Sequence, residues 1–273
     1  SANDFSGWSV SLSSDGSTVA IGAYINDGNG VSSGHVRVYD WNGNSWIQLG
    51  QDIDGEAALD NSGYSVSISS DGNIVAIGAE SNNGNGIESG HVRIYDWNGS
   101  SWNQIGQDID GNSGNANGYA GDRFGTFVSI SSDGNTVAIG ALQPDVNLPG
   151  YSSVYKNIAG NWVQQGQDIY GEANGDQSCR VSISGNGNML AVGATFNDGN
   201  SSDAGHVRLY TNIVPLYGCT DSTAVNYDPL ATVDDGSCCY SSWGNVWNQI
   251  GQDIDGQNQS ENSGYSVSMN YDG

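Results

Sequence analysis

The chain has 273 residues, 41 of them Gly and only 4 Pro, with 36% hydrophobic and 10% aromatic residues. That is enough apolar material for a core, and the scarcity of Pro without any G-x-y period excludes collagen and Pro-rich disorder. Thirty acidic residues against six basic ones give a formal charge of −24, so nucleic acid and anionic lipid headgroups are repelled and neither is expected as a partner.

No apolar run approaches the roughly 20 residues of a membrane-spanning helix, so membrane insertion is not expected. The opening SANDFSGWSV has neither an initiator Met nor a signal sequence and reads as a mature or excised piece. From there the text repeats. The turn SSDG or a relative closes at Gly16, Gly72, Gly134, Gly187 and Gly273, spaced by 56, 62, 53 and 86 residues. Removing the ~24 residues of one foreign segment from the last interval restores the period.

The second copy is the clearest, with GYSVSISSDG, NIVAIGAE, GHVRIYDWNG and SSWNQIGQDIDG in succession. Alternating Val, Ile, Tyr and Trp bounded by DG, NG and Gly-Asn clusters predicts four short strands joined by tight turns. Repetition of such units predicts an all-β fold, a β-propeller of four-stranded antiparallel blades. The expected repeats are approximately 5–62, 63–124, 125–177 and 178–262, with a partial copy at 263–273, forming one propeller over 1–273. This is either four blades with one extra strand or part of a larger ring.

Phe124-Gly125 with VAIGA at 137–141, and the GA pairs at Gly22-Ala23, Gly78-Ala79 and Gly193-Ala194, resemble the FG-GAP repeat of integrin-α-type propellers. Calcium-binding FG-GAP blades carry alternating Asp in the first hairpin, and SSDG has one. Loops joining the second strand to the third, and one blade to the next, fall on one face of a propeller. They place NDGNGVSSG, NNGNGIESG and NDGNSSDAG beside the QDIDG segments. Within those segments Asp52 and Asp54, Asp108 and Asp110, and Asp253 and Asp255 each flank an Ile and share one side of a strand end. With Asn carbonyls nearby they are hard oxygen ligands suited to Ca²⁺, with turn-capping as the competing role. His35, His91 and His206 recur once per blade in GHVR, Tyr151 taking that place in repeat three, and are expected to belong to the repeat structure. Arg37, Arg93 and Arg208 are expected to pair with repeat acids. Trp46, Trp102, Trp162 and Trp247 are expected to cover neighbouring strands, with Trp41 and Trp97 more exposed.

In repeat four a segment at 213–241 replaces the turn between the third and fourth strands. Gly218-Cys219-Thr220-Asp221, Asn226-Tyr227 and Asp234-Asp235-Gly236-Ser237-Cys238 resemble a cysteine-bounded motif of large secreted bacterial surface proteins. The resemblance implies a Cys219–Cys238 disulfide, worth ~3 kcal/mol by loop closure. Cys239 is extra to the motif, so other pairings stay open. Asp221, Asn226, Asp228, Asp234 and Asp235 form a second candidate Ca²⁺ set. Cys179 aligns with the aromatics Trp8, Tyr64 and Tyr265 and is expected as a buried thiol.

No catalytic motif is visible: GxSxG is missing, and SSDG does not meet the sialidase Asp box. The expected function is therefore a non-enzymatic extracellular adhesion or ligand-binding module, meeting a protein or glycan at a cell surface through its Asn/Asp/Gly-rich loops. Two alternatives are a structural spacer of a surface fibre and a polysaccharide-processing enzyme on a propeller scaffold. The enzyme would need one distinctive constellation, expected in repeat three, whose GYAGDRFG and ALQPDVNLPGYSS break the pattern. The sequence sets no oligomeric state.

Overall fold

A computed structural model describes residues 3–112, 121–145, 147–212, 248–255 and 266–269. The first blade contains β1 (Ser9–Leu12), β2 (Thr18–Ala23), β3 (His35–Trp41), β4 (Trp46–Gln48) and β5 (Ile53–Asp54). The second contains β6 (Ser62–Ile68), β7 (Ile74–Ala79), β8 (His91–Trp97), β9 (Trp102–Gln104) and β10 (Ile109–Asp110). The third runs through β11 (Phe124–Ile130), β12 (Thr136–Ala141), β13 (Tyr151–Ile158), β14 (Asn161–Gln164) and β15 (Ile169–Tyr170). In the fourth are β16 (Ser178–Ile183), β17 (Met189–Ala194), β18 (His206–Thr211), β19 (Asn248–Gln249) and β20 (Ile254–Asp255).

Each blade is an antiparallel meander. The expected fourth strand is divided in two, because the chain leaves the ladder at a Gly with positive φ, Gly50 in blade one and Gly106 in blade two. Both pieces still pair with the third strand. Segment 213–241 lies outside the described residues, and with it Cys219, Cys238, Asp221, Asn226, Asp228, Asp234 and Asp235. The same holds for Trp247 and for the side chain of Asp255.

The apolar cores lie between blades. Val36, Val38 and Ile53 of blade one pack with Val66, Ile68, Val75 and Ile77 of blade two. Val92, Ile94 and Ile109 then pack with Phe124, Val137 and Ile139 of blade three. Val154 and Ile169 pack with Val181, Leu190 and Val192 of blade four. Sandwiching explains why the second strands read as unbroken runs such as IVAIGA: both of their faces are buried.

The FG and GA pairs meet across these junctions. A bulge interrupts the inner strand between Ser62 and Ser65 and again between Phe124 and Phe127. Gly63 and Gly125 occupy it with φ of 83° and 89°. Their carbonyls press on the GA glycine of the preceding blade, and a Cβ on Gly22 or Gly78 would run into them. Ser9 and Ser65 hydroxyls donate to the same carbonyls at 2.8 and 2.6 Å.

In blade four the bulge is one residue shorter. The carbonyl of Cys179 meets Gly140, so Cys179 holds the place of Gly63 and Gly125, and the alignment with Trp8 and Tyr64 is corrected by one position. The thiol is free and buried, and desolvation pushes its pKa up to about 12.

At the lower end of the ring, Leu12, Ile68, Ile130 and Ile183 converge with Met269 of the fifth strand copy around a cavity of 170 Å³. Ser14 N–H donates to the Ser70 carbonyl, Ser70 to Ser132 and Ser132 to Gly185, linking successive blades there. The SSDG acid braces its own turn: Asp15 accepts from the Ser13 hydroxyl at 2.7 Å and the Ser17 N–H at 2.9 Å.

Candidate functional site

Two sets of polar groups stand out, one repeated at the blade junctions and one found once, at the upper mouth of the axis.

The junction set joins the histidines to the sequence-selected acids. Each His begins a third strand, opposite the second residue of the short outer piece: His35 pairs with Asp54 and His91 with Asp110. In blade one, ligand-type atoms of His35, Asp52 and Asp54 lie within 4.8 Å of one another. In blades two and four the third member comes from the linker of the preceding blade, giving Glu56–His91–Asp108 and Glu172–His206–Asp253. Asp110 is not drawn into its blade's cluster.

Arginines sit in the same place. Arg37 grips Asp52 through Nε at 2.9 Å and a terminal nitrogen at 2.7 Å. Arg93 pairs with Glu56 at 3.6 Å and donates to the Asp54 carbonyl at 2.8 Å. Arg208 pairs with Glu172. The expected arginine–acid pairing is therefore present, and across the junctions it joins two blades. Burial and the Arg93 charge lower the His91 pKa to about 4, against the pull of Asp108, so the ring is neutral at pH 7. One imidazole and two carboxylates beside a guanidinium do not fit Ca²⁺, which takes six to eight oxygens.

The loops expected to meet a ligand spend much of their polarity on themselves. The Asn26 and Asn82 side chains accept from Gly28 and Gly84 N–H at 2.8 and 2.7 Å. Asp27 accepts from Ser32 N–H at 2.8 Å, and Asn29 donates to the Gly55 carbonyl at 2.8 Å. These are turn-holding bonds.

The axial mouth is different. It is built where inner strands begin and second strands end, and at these positions the blades do not repeat. Tyr24 of blade one corresponds to Glu80, Leu142 and Thr195; Phe5 corresponds to Asn61, Arg123 and Gln177; Ser9 corresponds to Ser65, Phe127 and Arg180.

Glu80 is buried and accepts from the Thr126 hydroxyl of blade three at 3.2 Å. Desolvation raises its pKa, only partly offset by Arg123 and by that hydrogen bond. Arg123 is clamped by Glu88 at 2.9 and 2.6 Å. Arg180 lies 4.5 Å over the Phe127 ring and its Nε donates to Thr195 at 2.8 Å. The Tyr64 hydroxyl feels Glu80, Tyr24, Arg123 and Arg180, and burial pushes its pKa up to about 12. Arg123 thus acts on Glu80, and Arg123 and Arg180 both act on the Tyr64 hydroxyl.

No sequence motif reveals this set, because its members come from separate blades and each looks ordinary in its own repeat. A comparison of aligned repeats for positions that fail to repeat could have found it. The anomaly noted in repeat three does contribute Arg123, and Thr126 follows directly after it. The anomaly's second part enters a separate hydrogen-bonded group, in which the Asp122 carboxylate accepts from Tyr151 at 2.7 Å, from Asn112 at 2.9 Å and from Gln143 at 3.0 Å.

Meanders packed face to face around an axis define a β-propeller. Residues 1–39 match the family model of the FG-GAP repeat. No curated protein matches the sequence. Among solved structures, the chain is similar to a Bacteroides uniformis protein assigned as a 6-phosphogluconolactonase, at 13% identity and a TM-score of 0.53. The match covers 90% of this chain and 54% of that one. The periplasmic gluconolactonase of Pseudomonas aeruginosa is similar at 14% identity and a TM-score of 0.51, over 90% of this chain and 56% of that one. The chain spans about half the length of these structures, and at such identities the likeness is one of fold. It corrects the expectation of a non-enzymatic module: the solved propellers it resembles carry enzyme names. That expectation rested on missing local motifs, and a site assembled across blades leaves none.

Proposed function

We propose that this propeller is an extracellular hydrolase of a sugar-derived substrate, with its site at the axial mouth. The observation that carries the reading is the mouth itself, where a buried carboxyl is held between blades two and three by groups that do not repeat. Glu80 holds a proton at higher pH than an ordinary carboxyl, the condition for a general acid. As the carbon–oxygen bond to the leaving group breaks, that proton passes to the departing oxygen. Water bonds to the carbon left behind, and its proton returns to the Glu80 carboxylate. Arg180, stacked on Phe127, offers a fixed positive charge to an anionic substituent or developing oxyanion. The lactonase names of the two fold relatives support a sugar substrate, and FG-GAP repeats with a periplasmic relative support the extracellular setting.

The test is turnover of aldonolactones and of uronate-containing oligosaccharides by the purified chain. Glu80→Gln is expected to cut turnover by ~10²- to 10⁴-fold with an unchanged melting temperature. Equal activity of Glu80→Gln and the parent would sink the assignment of Glu80. Absence of turnover on both substrate classes would sink the function.

A further inference from the structure

Beside the acid at the mouth stands a group of aromatic rings. Trp8 and Tyr24 lie 4.9 Å apart between ring centroids, Trp8 and Tyr64 5.6 Å, Tyr24 and Tyr64 5.3 Å, and Phe5 and Tyr24 5.8 Å. Such contacts ordinarily belong to a core. Here Phe5 is 54% and Trp8 50% exposed, on the face of blade one that also leaves Val10 and Leu12 open. The group is also one-sided: the position of Trp8 and Tyr64 is Thr126 in blade three, and the shortened bulge of blade four has no counterpart.

We infer that these rings form a shelf for the C–H faces of successive sugar units, so that the substrate is an acidic oligosaccharide chain rather than a single sugar. The inference rests on the reading of the mouth as a hydrolytic site and adds its substrate class. Three observations select this occupant over a protein or a lipid surface. The shelf is continuous with the acid, since Tyr64 contacts Trp8 on one side and feels Glu80 on the other. Its phenols combine an apolar face with a hydroxyl rim, matching a pyranose, and the Tyr64 hydroxyl stays protonated as a donor far above neutral pH. The cations that act on the Tyr64 hydroxyl are Arg123 and Arg180, in a chain of net charge −24. Uncharged ring faces thus rest over blades one and two, while a carboxylate reaches Arg180.

The probes are galacturonate oligomers from one to eight units and glucono-δ-lactone, with binding read from tryptophan fluorescence and turnover from product release. Trp8→Ala removes a half-exposed ring at a strand entrance and is expected to leave the fold intact, as unchanged melting would show. It should weaken binding of the octamer at least tenfold and leave the monomer and lactone unaffected. Trp8→Phe should restore most of the loss. The proposal is overturned if Trp8→Ala binds all lengths as the parent does, or if the parent binds no oligomer. Glu80→Gln separates the two readings. Lost turnover with Trp8-independent binding removes the shelf and keeps the site; Trp8-dependent binding without turnover removes the hydrolase and keeps the shelf.

Discussion

The junction between blades one and two and the junction between blades two and three share one backbone plan and differ in chemistry. At the first, Glu56 of the linker meets His91 and Arg93 of the receiving blade, all three ionisable. At the second the linker residue is Asn112, and the receiving blade offers Tyr151 and Ser153 in place of His and Arg. Asn112 and Tyr151 both donate to the buried Asp122, and Ser153 donates to Asp168 at 2.6 Å. The third junction returns to Glu172, His206 and Arg208. Linker and receiver therefore change together. A buried Arg opposite Asn would lose its carboxylate, and a Glu opposite Tyr would lose its counter-charge, each at a cost of about 1–2 kcal/mol where the acid is half exposed. The pairs set the second junction apart from the first and the third.

The largest expected effect concerns what both junctions share. Trp102 and Trp162 are each 3% exposed, and their indole N–H groups donate across to the Leu49 and Ile105 carbonyls of the preceding blade at 3.0 and 2.9 Å. Replacing either with Ala should cost ~3–5 kcal/mol in denaturant unfolding. Trp46, 44% exposed at the outer face of blade one, serves as the control and should cost less than about 1 kcal/mol. Equal losses at Trp46 and Trp102 would mean that the stabilisation lies within blades and not between them.

The next effect separates the two junctions by pH. Burial and Arg93 hold the His91 pKa near 4 in the folded chain, below its ordinary value of 6.5. Between those values the unfolded chain binds the extra proton, so stability is fully present above pH 6.5 and is lost as pH falls towards 4, by up to ~3 kcal/mol. Tyr151 shifts the other way, upward through burial and Asp122, and stays neutral throughout that window. Melting temperature followed from pH 7 to 4 should therefore fall less steeply in His91→Gln than in the parent. Tyr151→Phe should lower the whole curve without changing its slope. Identical slopes for His91→Gln and the parent would refute the titrating role of His91.

Much of the fold was legible because a propeller repeats its local signals. Period-2 strands, SSDG-type turns and GA pairs appear in each of the four full copies, and each averages out the ambiguity of the others. The split outer strand was hidden, since QIGQDIDG has a continuous strand composition and only the positive φ of Gly106 breaks it. The displacement of Cys179 was hidden because one missing bulge residue leaves no gap in the text. The site was least legible for a physical reason. Glu80, Thr126 and Arg180 are separated by 46 and 54 residues and meet only through the ring. The departures from the repeat in GYAGDRFG pointed to Arg123, but Glu80 and Arg180 lie in repeats whose motifs are intact. His35, His91 and His206 show the reverse: one per blade pointed to structure, and the junction geometry shows why a repeated histidine is kept.

The smallest effect tests whether the ionic junction is worth more than the hydrogen-bonded one. Glu56 is about half exposed, so its attraction to Arg93 is screened by solvent and should contribute ~1–2 kcal/mol, chiefly by sparing a buried guanidinium. Glu56→Gln should lose that amount, or ~2–8 °C in melting temperature, and the loss should shrink by a few tenths of a kcal/mol in 0.5 M salt, where exposed charges are screened within roughly 4–5 Å. Asn112→Ala should cost about as much with no salt dependence, because its partner Asp122 is buried and their bond is short. A double variant carrying Glu56→Asn and Arg93→Ser approaches the second junction's chemistry and should be more stable than the sum of its single changes. If the changes simply add, linker and receiver are independent.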